Sequence, residues 1–296
     1  MAAASSRVDA HHHLWESRRR FPLGGDWLLG SVGYGWAEAG LPELDRDFLP
    51  SLLAPSLAEA GVSHTIVVQA IHGEGETEWL LDVAREIPTL AGVVGWTDLT
   101  DPSEVVHRRL AALRERGLVG VRHLVQFESD PRWLLRAEVL RGLEVVAGLG
   151  LPYDLLLVPS QLDLVPELSD RLPGLRMVID HLAKPRIAAG ELDPWRAAIR
   201  RAAENPNVYC KVSGMVTEAD HRNWSPADLR PYIEVALEAF GARRLMFGSD
   251  WPVCTLAATY EQVAGALEQN LQALVGDDVE TREAIYRTTA TAFYGI

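Results

Sequence analysis

The sequence predicts a (β/α)8 (TIM) barrel formed by a single domain over residues 1–296. About eight strand-like segments alternate with amphipathic helical segments, and a chain of this length suits one barrel. Most of the strands are continuous apolar runs, which is typical of a parallel sheet covered on both faces. An open doubly wound sheet is the alternative, but no glycine-rich phosphate loop follows the first strand. The barrel is therefore the favoured fold.

Apolar runs predict the strands. In chain order they are RVDAH (7–11), HTIVVQA (64–70), AGVVGWTDL (91–99), LVGVRHLVQ (118–126), LPYDLLL (151–157), LRMVIDH (175–181), NVYCKVSG (207–214) and RRLMFGSD (243–250). Between them, apolar residues recur at helical spacing. Helices are predicted over 50–61, 76–87, 102–117, 195–205 and 227–241, and many of these segments end in Gly or Asn, as helix C-termini tend to.

The connection after the first strand, from residue 14 to about residue 50, is long and has no strong periodicity. It carries Trp15, Trp27, Tyr34 and Trp36. Long structureless loops in compact domains are usually functional, and an aromatic wall suits a sugar-like substrate. Packing of the rings onto the barrel is the alternative. We expect an aromatic-rich loop, with Trp15 and Trp27 as candidate substrate contacts.

The overall charge excludes some partners. With 28 basic and 41 acidic residues the net charge is −13, which argues against nucleic acid or an anionic membrane. Residues 1–7 lack the apolar run of a signal peptide, and no segment is apolar for long enough to span a bilayer. Cys210 and Cys254 form no paired-cysteine zinc pattern. We expect a cytoplasmic protein with reduced thiols.

The stretch DAHHHLW, which begins at Asp9, ends the first strand. Residues two apart on a strand point the same way, so His11 and His13 share a direction while His12 faces away. Two adjacent imidazoles are plausible metal ligands. The C-terminal ends of barrel strands converge on one mouth, where catalytic groups sit. Other polar residues at predicted strand ends are Gln69, His72, Arg122, His123, Asp154, Asp180, His181, Lys211, Ser213 and Asp250.

Taken together, these motifs make the sequence resemble the amidohydrolase superfamily, in its amidohydrolase-2 branch of sugar-lactone and related lactone hydrolases. The matching pieces are DAHHHLW, VVGWTDL, GVRH, DHLAKP, KVSGM and FGSDWP, spread from residue 9 to residue 252. The resemblance implies a (β/α)8 barrel with a hydrolytic site at the strand C-termini. It assigns His11 and His13 as metal ligands and adds His181 and Asp250 to the site.

Two departures from the superfamily bear on the metal. Binuclear members use a Lys or Glu on strand four and a His on strand five, whereas this chain has Arg122–His123 and Tyr153–Asp154. We therefore expect one divalent ion, zinc in the first place, held by His11, His13 and Asp250 with water. The alternative is catalysis without a metal, as the resemblance also implies for some relatives.

The leading functional hypothesis is hydrolysis of a six-carbon aldonolactone of the fucono, rhamnono or galactono type. Asp250 would be the general base, and His181 with Arg122 would stabilise the oxyanion. For Arg122, a buried structural ion pair with an acidic neighbour is the alternative. Lactones need no strong nucleophile, consistent with the lack of a G-x-S-x-G motif. Candidate substrate contacts are Trp15, Trp27, Gln69, Asp154, Lys211 and Trp251.

Two other functional hypotheses remain open. The same zinc ligands would serve a non-oxidative decarboxylase of aromatic or dienoic acids, although HLAKP and GVRH favour the lactonase. A non-catalytic binding scaffold predicts loss of at least one of His11, His13, His181 or Asp250, and all four are present. The expected partner is a small-molecule sugar lactone, and a homo-oligomer is left open.

Overall fold

The computed structural model describes residues 6–21, 34–36 and 39–296. Eight strands form one sheet in which each strand pairs in parallel with the next along the chain. They are β1 Arg7–His12, β2 Val62–Val68, β3 Leu90–Gly95, β4 Leu118–His123, β5 Tyr153–Leu155, β6 Met177–Ile179, β7 Val208–Val212 and β8 Leu245–Phe247. This order, with helices between the strands, is the predicted (β/α)8 barrel.

The two ends of the sheet meet, so that the barrel is nearly closed. His12 forms an isolated parallel bridge with Trp251. The His13 N–H donates to the Trp251 carbonyl at 2.6 Å, and the Asp250 N–H donates to the His11 carbonyl at 2.8 Å. These bonds lie just past the ends of β1 and β8, where they bring His11, His13 and Asp250 together.

Helices alternate with the strands, and most of them cover the outside of the sheet. They are α1 Pro50–Glu59, α2 Glu74–Glu86, α3 Ser103–Glu115, α4 Ala137–Gly148, α5 Leu164–Arg171, α6 Trp195–Ala203, α7 Met215–Glu218, α8 Pro226–Phe240, α9 Tyr260–Val275, α10 Val279–Glu283 and α11 Thr289–Tyr294. The five helices named from periodicity all exist, with bounds that shift by a few residues. Outward strand residues such as Val93, Val121 and Ile179 pack with them in one large core.

A second apolar cluster fills the inside of the barrel. Val8, Ile66, Val94, Val178 and Met246 come from strands that are not all neighbours, so they can meet only in the barrel interior. Phe293 and Tyr294 of α11 join this cluster. The Phe293 carbonyl accepts a hydrogen bond at 2.6 Å from Arg176, the residue before β6. The C-terminal helix therefore closes the end opposite to the strand C-termini.

The loop after β1 is described in part. Trp15 and Phe48 pair through reciprocal backbone bonds of 3.0 and 2.8 Å, and a short 3-10 turn spans Pro42–Leu44. The Trp15 indole is fully buried and donates to the carbonyls of Leu44 at 3.1 Å and Arg46 at 2.9 Å. Trp27 lies outside the described residues, so the aromatic-loop hypothesis as a whole stays a prediction. Among the described residues, no helix is both long and apolar enough to cross a membrane.

Candidate active site

The pair His11 and His13 lies at the C-terminal end of β1, where the strand is irregular. The register against β2 shifts between Asp9 and His12, a β-bulge that lets both Ala10 and His11 face the interior. The His11 and His13 ring centroids are 5.0 Å apart. His12 faces away, as predicted, and its Nε2 lies 2.9 Å from the Thr65 hydroxyl.

Asp9 holds the backbone on which Asp250 sits. Its Oδ1 accepts the N–H of His11 at 3.1 Å and the N–H of Ser249 at 2.9 Å, while the Tyr260 hydroxyl donates to Oδ2 at 3.0 Å. Asp250 adopts a left-handed backbone with φ 57°. Such a conformation is uncommon for a residue other than glycine and persists where surrounding bonds enforce it. The buried Asp9 carboxyl supplies those bonds.

His181 reaches the same point from a strained turn. Residues 181–184 all have positive φ, between 53° and 56°, and the Lys184 N–H donates to the His181 carbonyl at 2.8 Å. A left-handed turn costs about 1–2 kcal/mol per residue for L-amino acids. The Trp195 indole stabilises the turn by donating to the Leu182 carbonyl at 2.7 Å. This turn ends β6 early and directs the His181 ring into the barrel mouth.

Three imidazoles surround one oxygen of Asp250. Oδ1 of Asp250 lies 3.4 Å from His13 Nε2, 3.8 Å from His181 Nε2 and 3.9 Å from His11 Nε2. Burial raises the pKa of Asp250, but its interactions with the His181 and His13 imidazoles and with the Lys184 ammonium outweigh burial and place the pKa below its ordinary value. Burial lowers the pKa of His181 to about 4 although Asp250 acts against it. At neutral pH, Asp250 is therefore ionised and His181 is neutral.

A buried ionic network lies behind His11. The Lys211 ammonium is 2.5 Å from Asp154 Oδ2, 3.0 Å from Asp180 Oδ1 and 3.0 Å from His11 Nδ1. The Tyr294 hydroxyl donates to Asp154 Oδ2 at 2.8 Å from the closed end of the barrel. Lys211, Asp154 and Asp180 are fully buried, so each ionised group is stabilised by its partners rather than by water. Burial lowers the pKa of His11 well below its usual range, and Lys211 adds to that effect.

Arg122 lies on the other side of His11. Its Nη1 donates to Asp180 Oδ2 at 3.0 Å and is 3.3 Å from His11 Nε2, and its Nη2 donates to the Gln69 carbonyl. The ion pair that was the alternative for Arg122 is therefore present. Gln69 Nε2 in turn donates to the Arg122 carbonyl at 3.1 Å.

The candidate substrate contacts fall into two groups, one in the buried ionic network and one in the packing of the loop after β1. Asp154 and Lys211 face the barrel interior and contact His11 and its neighbours in the network. Trp15 packs the β1 loop, and Trp251 is 6% exposed with its ring 5.3 Å from that of Phe48. Direct substrate contact by these residues remains a proposal, and their present contacts favour positioning and packing.

A second histidine group forms part of the mouth near β4. The His123 ring stacks between His72, at 3.9 Å, and Trp133, at 3.8 Å. Trp96 donates to His123 Nδ1 at 3.0 Å, and His123 Nε2 is 2.7 Å from Glu128. Because both ring nitrogens of His123 are engaged, this group is interpreted as a hydrogen-bonded wall.

The residues His11, His13 and Asp250 offer ligand atoms that lie within 4.8 Å of one another. The His13 Nδ1 is 2.7 Å from the Val68 carbonyl, which can only accept, so Nδ1 carries a proton and, in the neutral imidazole, Nε2 presents its lone pair to Asp250. Ligand atoms about 2 Å from a tetrahedral zinc are separated by about 3.3 Å. The 3.4 Å separation of His13 Nε2 from Asp250 Oδ1 matches this value, whereas the 3.9 Å separation of His11 Nε2 is longer, so one ion held by all three residues would draw His11 closer.

Several positioning residues escaped the sequence analysis. Asp9 stood in the DAHHHLW motif, but nothing local indicated that it would bond to Ser249. A Cβ on Gly214 would lie 2.5 Å from His181 Nδ1, and one on Gly248 would lie 2.6 Å from His11 Cβ. Gly214 belongs to the motif KVSGM and Gly248 to FGSDWP. Only their close packing against His181 and His11 explains why glycine is needed at both positions.

Comparisons with known proteins identify the family of this chain. A family model described as Amidohydrolase matches residues 8–296. An L-fucono-1,5-lactonase from Burkholderia multivorans is 37% identical over 300 residues, which cover 98% of this chain and 96% of the relative. A solved amidohydrolase from Burkholderia multivorans with bound zinc has a TM-score of 0.86 at 36% identity and covers 99% of this chain and 100% of that one.

A more distant solved structure bears on the decarboxylase alternative. A 2,6-dihydroxybenzoate decarboxylase from Rhizobium has a TM-score of 0.65 at 15% identity, with 99% of each chain covered. That likeness concerns the fold alone, so it gives no support to decarboxylation by this chain.

Proposed function

We propose that this chain, which belongs to the amidohydrolase family, hydrolyses a six-carbon sugar lactone to the sugar acid with Asp250 as general base. The observation that carries the proposal is the ionised Asp250 carboxylate surrounded by three imidazoles at the barrel mouth. The similarity to an L-fucono-1,5-lactonase over nearly the whole chain supports a lactone as the substrate class.

Asp250 would take the proton from the attacking water. Its lowered pKa keeps the carboxylate ionised at neutral pH, so that it is ready to accept a proton. The left-handed backbone and the bonds that Asp9 makes to this segment fix the direction of the carboxylate. A water placed between Asp250 and the imidazoles would be oriented for attack before the lactone arrives.

His181 would stabilise the oxyanion that develops on the carbonyl. Its pKa of about 4 makes the ring neutral, so Nε2 donates only in the tautomer that carries the proton there. Ser213 Oγ is 2.8 Å from His181 Nδ1, and by donating its hydroxyl proton there it would favour the tautomer that carries the ring proton on Nε2. Arg122, held by Asp180, adds a fixed positive charge behind the site.

The reaction balances without a covalent enzyme intermediate. The water oxygen bonds to the carbonyl carbon, its proton passes to Asp250, and the bond from that carbon to the ring oxygen breaks. Asp250 then returns the proton to the ring oxygen, which leaves the open hydroxy acid. One divalent ion, which we propose to be zinc, would be held by His11, His13 and Asp250 and would supply Lewis acidity and a lowered water pKa.

The test is proton release, followed with a pH indicator, over a panel of aldonolactones. We expect fast turnover of one lactone and a loss of at least roughly 100-fold in Asp250→Asn. Asp170→Asn, on an exposed face of α5, is the matched control and should keep full activity. No turnover across the panel, with or without added zinc, would overturn the proposal and direct the search to carboxylated aromatic acids.

A further inference from the structure

A pair of oppositely charged residues lies beside the three imidazoles and takes no part in the proposed reaction. Lys184 Nζ is 3.9 Å from Glu218 Oε1, and each side chain is 26% exposed. This separation is too long for a hydrogen bond. Within residues 6–21, 34–36 and 39–296, neither charged group has a hydrogen bond to another side chain. Both head groups thus keep hydrogen-bonding capacity that faces solvent.

The local backbone places both residues near His181. In a turn closed by an i to i+3 bond, side chains three apart lie on the same face. Since the Lys184 N–H donates to the His181 carbonyl, Lys184 shares a face with His181. Glu218 ends α7, a helix that begins directly after Gly214, where an added Cβ would lie 2.5 Å from His181 Nδ1. The pair therefore lies at the rim of the candidate active site.

Electrostatic coupling supports this placement. Burial raises the pKa of Glu218 against the opposing charge of Lys184, and the negative charge of Asp250 raises it further. The charge of Lys184 is also among the effects that lower the pKa of Asp250. Lys184 and Glu218 therefore both lie close enough to Asp250 to interact with its charge.

We infer that Lys184 and Glu218 form a hydroxyl-binding pair that holds neighbouring ring hydroxyls of the sugar lactone. This inference rests on the proposed lactone hydrolysis. The pair would be the part of the site that selects a polyhydroxylated ring as substrate. A hydroxyl both donates and accepts, so one hydroxyl donates to the Glu218 carboxylate while the next accepts from the Lys184 ammonium. Hydrogen bonds to charged groups are the stronger kind and favour a hydroxylated ring over an unsubstituted one.

The experiment separates binding from chemistry. The probe is the 1,5-anhydroalditol with the stereochemistry of the best-hydrolysed lactone, because it keeps the ring hydroxyls and lacks the carbonyl. Calorimetric titration should show binding to the wild-type chain that weakens by roughly tenfold or more in Glu218→Gln and in Lys184→Gln. Glu191→Gln is the control, since Glu191 pairs with Arg186 at 3.3 Å on an exposed part of the same region.

Kinetics on two lactones complete the test. Both variants should lose kcat/KM on the aldonolactone by the same factor as they lose affinity for the probe. Their kcat/KM on unsubstituted δ-valerolactone should fall by a clearly smaller factor, because that ring has no hydroxyl to bind and any effect of the lost charge on Asp250 is common to both lactones. Unchanged probe affinity, no probe binding by the wild type, or equal losses on both lactones would overturn the hydroxyl-binding pair alone. Absence of any lactone turnover by the wild type would overturn the proposed function, and the pair with it.

Discussion

His13 Nε2 and Asp250 Oδ1 face each other at 3.4 Å although both atoms are hydrogen-bond acceptors when the imidazole is neutral. The Val68 carbonyl, 2.7 Å from His13 Nδ1, holds the ring proton on the opposite side. Two facing lone pairs repel unless a cation or a proton lies between them. This contact therefore indicates a position where positive charge is needed.

Zinc binding should depend on that contact. We expect the wild-type chain to bind one zinc ion and His13→Ala to bind it more weakly by roughly 100-fold or more, because one of three protein ligands is lost. Calorimetry on metal-stripped protein measures both affinities. His64→Ala, at an exposed histidine on β2, should behave as the wild type. Equal zinc affinity in His13→Ala would instead indicate that a proton on the imidazole is shared with Asp250.

Removal of the Ser213 hydroxyl should lower turnover more than substrate affinity. Ser213→Ala frees His181 Nδ1, so the ring can adopt the tautomer that has no proton on Nε2. We expect kcat to fall roughly tenfold with KM almost unchanged, since the lost donor acts on the oxyanion. Steady-state kinetics on the best lactone measures both values, with Ser51→Ala on exposed α1 as control. A fall confined to KM would contradict this role.

Two glycines with nearly the same backbone allow a matched test of the space around His181. Gly214 has φ 60° and a Cβ there would lie 2.5 Å from His181 Nδ1, whereas Gly190 has φ 65° and open space around it. Both Gly→Ala changes should cost about 1 kcal/mol of stability for the left-handed backbone. Only Gly214→Ala should also lose activity, by more than roughly tenfold, as it displaces the imidazole. Denaturant unfolding and kcat measure the two effects, and equal activity in both variants would show that His181 can move at no cost.

Glu76 should make the protein less stable as the pH rises. It is fully buried on α2, and its carboxylate accepts the N–H groups of Ala70 and Ile71, each at 3.1 Å. Burial nevertheless raises its pKa to about 8, against an ordinary value of 4.5. The folded state then binds the proton more tightly than the unfolded state, so this stability is present below about pH 4.5 and is lost as the pH rises towards 8.

Comparison with Glu76→Gln isolates this contribution from those of the other buried groups. The quantity to follow is the free energy of unfolding of the wild type minus that of Glu76→Gln. It should decrease between pH 4.5, the ordinary pKa of Glu76, and about pH 8, its raised pKa, and then become constant. Urea unfolding at a series of pH values measures it. Glu115→Gln, at an exposed position on α3, makes the same chemical change and should give a difference that does not vary with pH. A difference that increases with pH would show that the folded state favours the ionised carboxylate.

Much of the barrel and part of the site follow from local patterns in the chain. Buried parallel strands require continuous apolar runs, and side chains alternate along them, so the strand order and the shared direction of His11 and His13 could be predicted. Asp250 and His181 could be placed at the mouth because the C-terminal ends of all strands meet there. These features depend only on residues close together in the sequence.

The roles of Lys211, Asp154 and Lys184 could not be predicted in this way. The sequence placed Lys211 and Asp154 at strand ends, but only the assembled sheet shows that they meet behind His11 and that Asp154 accepts a bond from Tyr294 at the closed end. The turn that directs His181 into the mouth has a strained left-handed backbone, and the spacing of apolar residues does not predict such a turn. Such contacts join residues far apart in the chain, and their distances are set by sheet register, barrel closure and the packing of neighbouring loops.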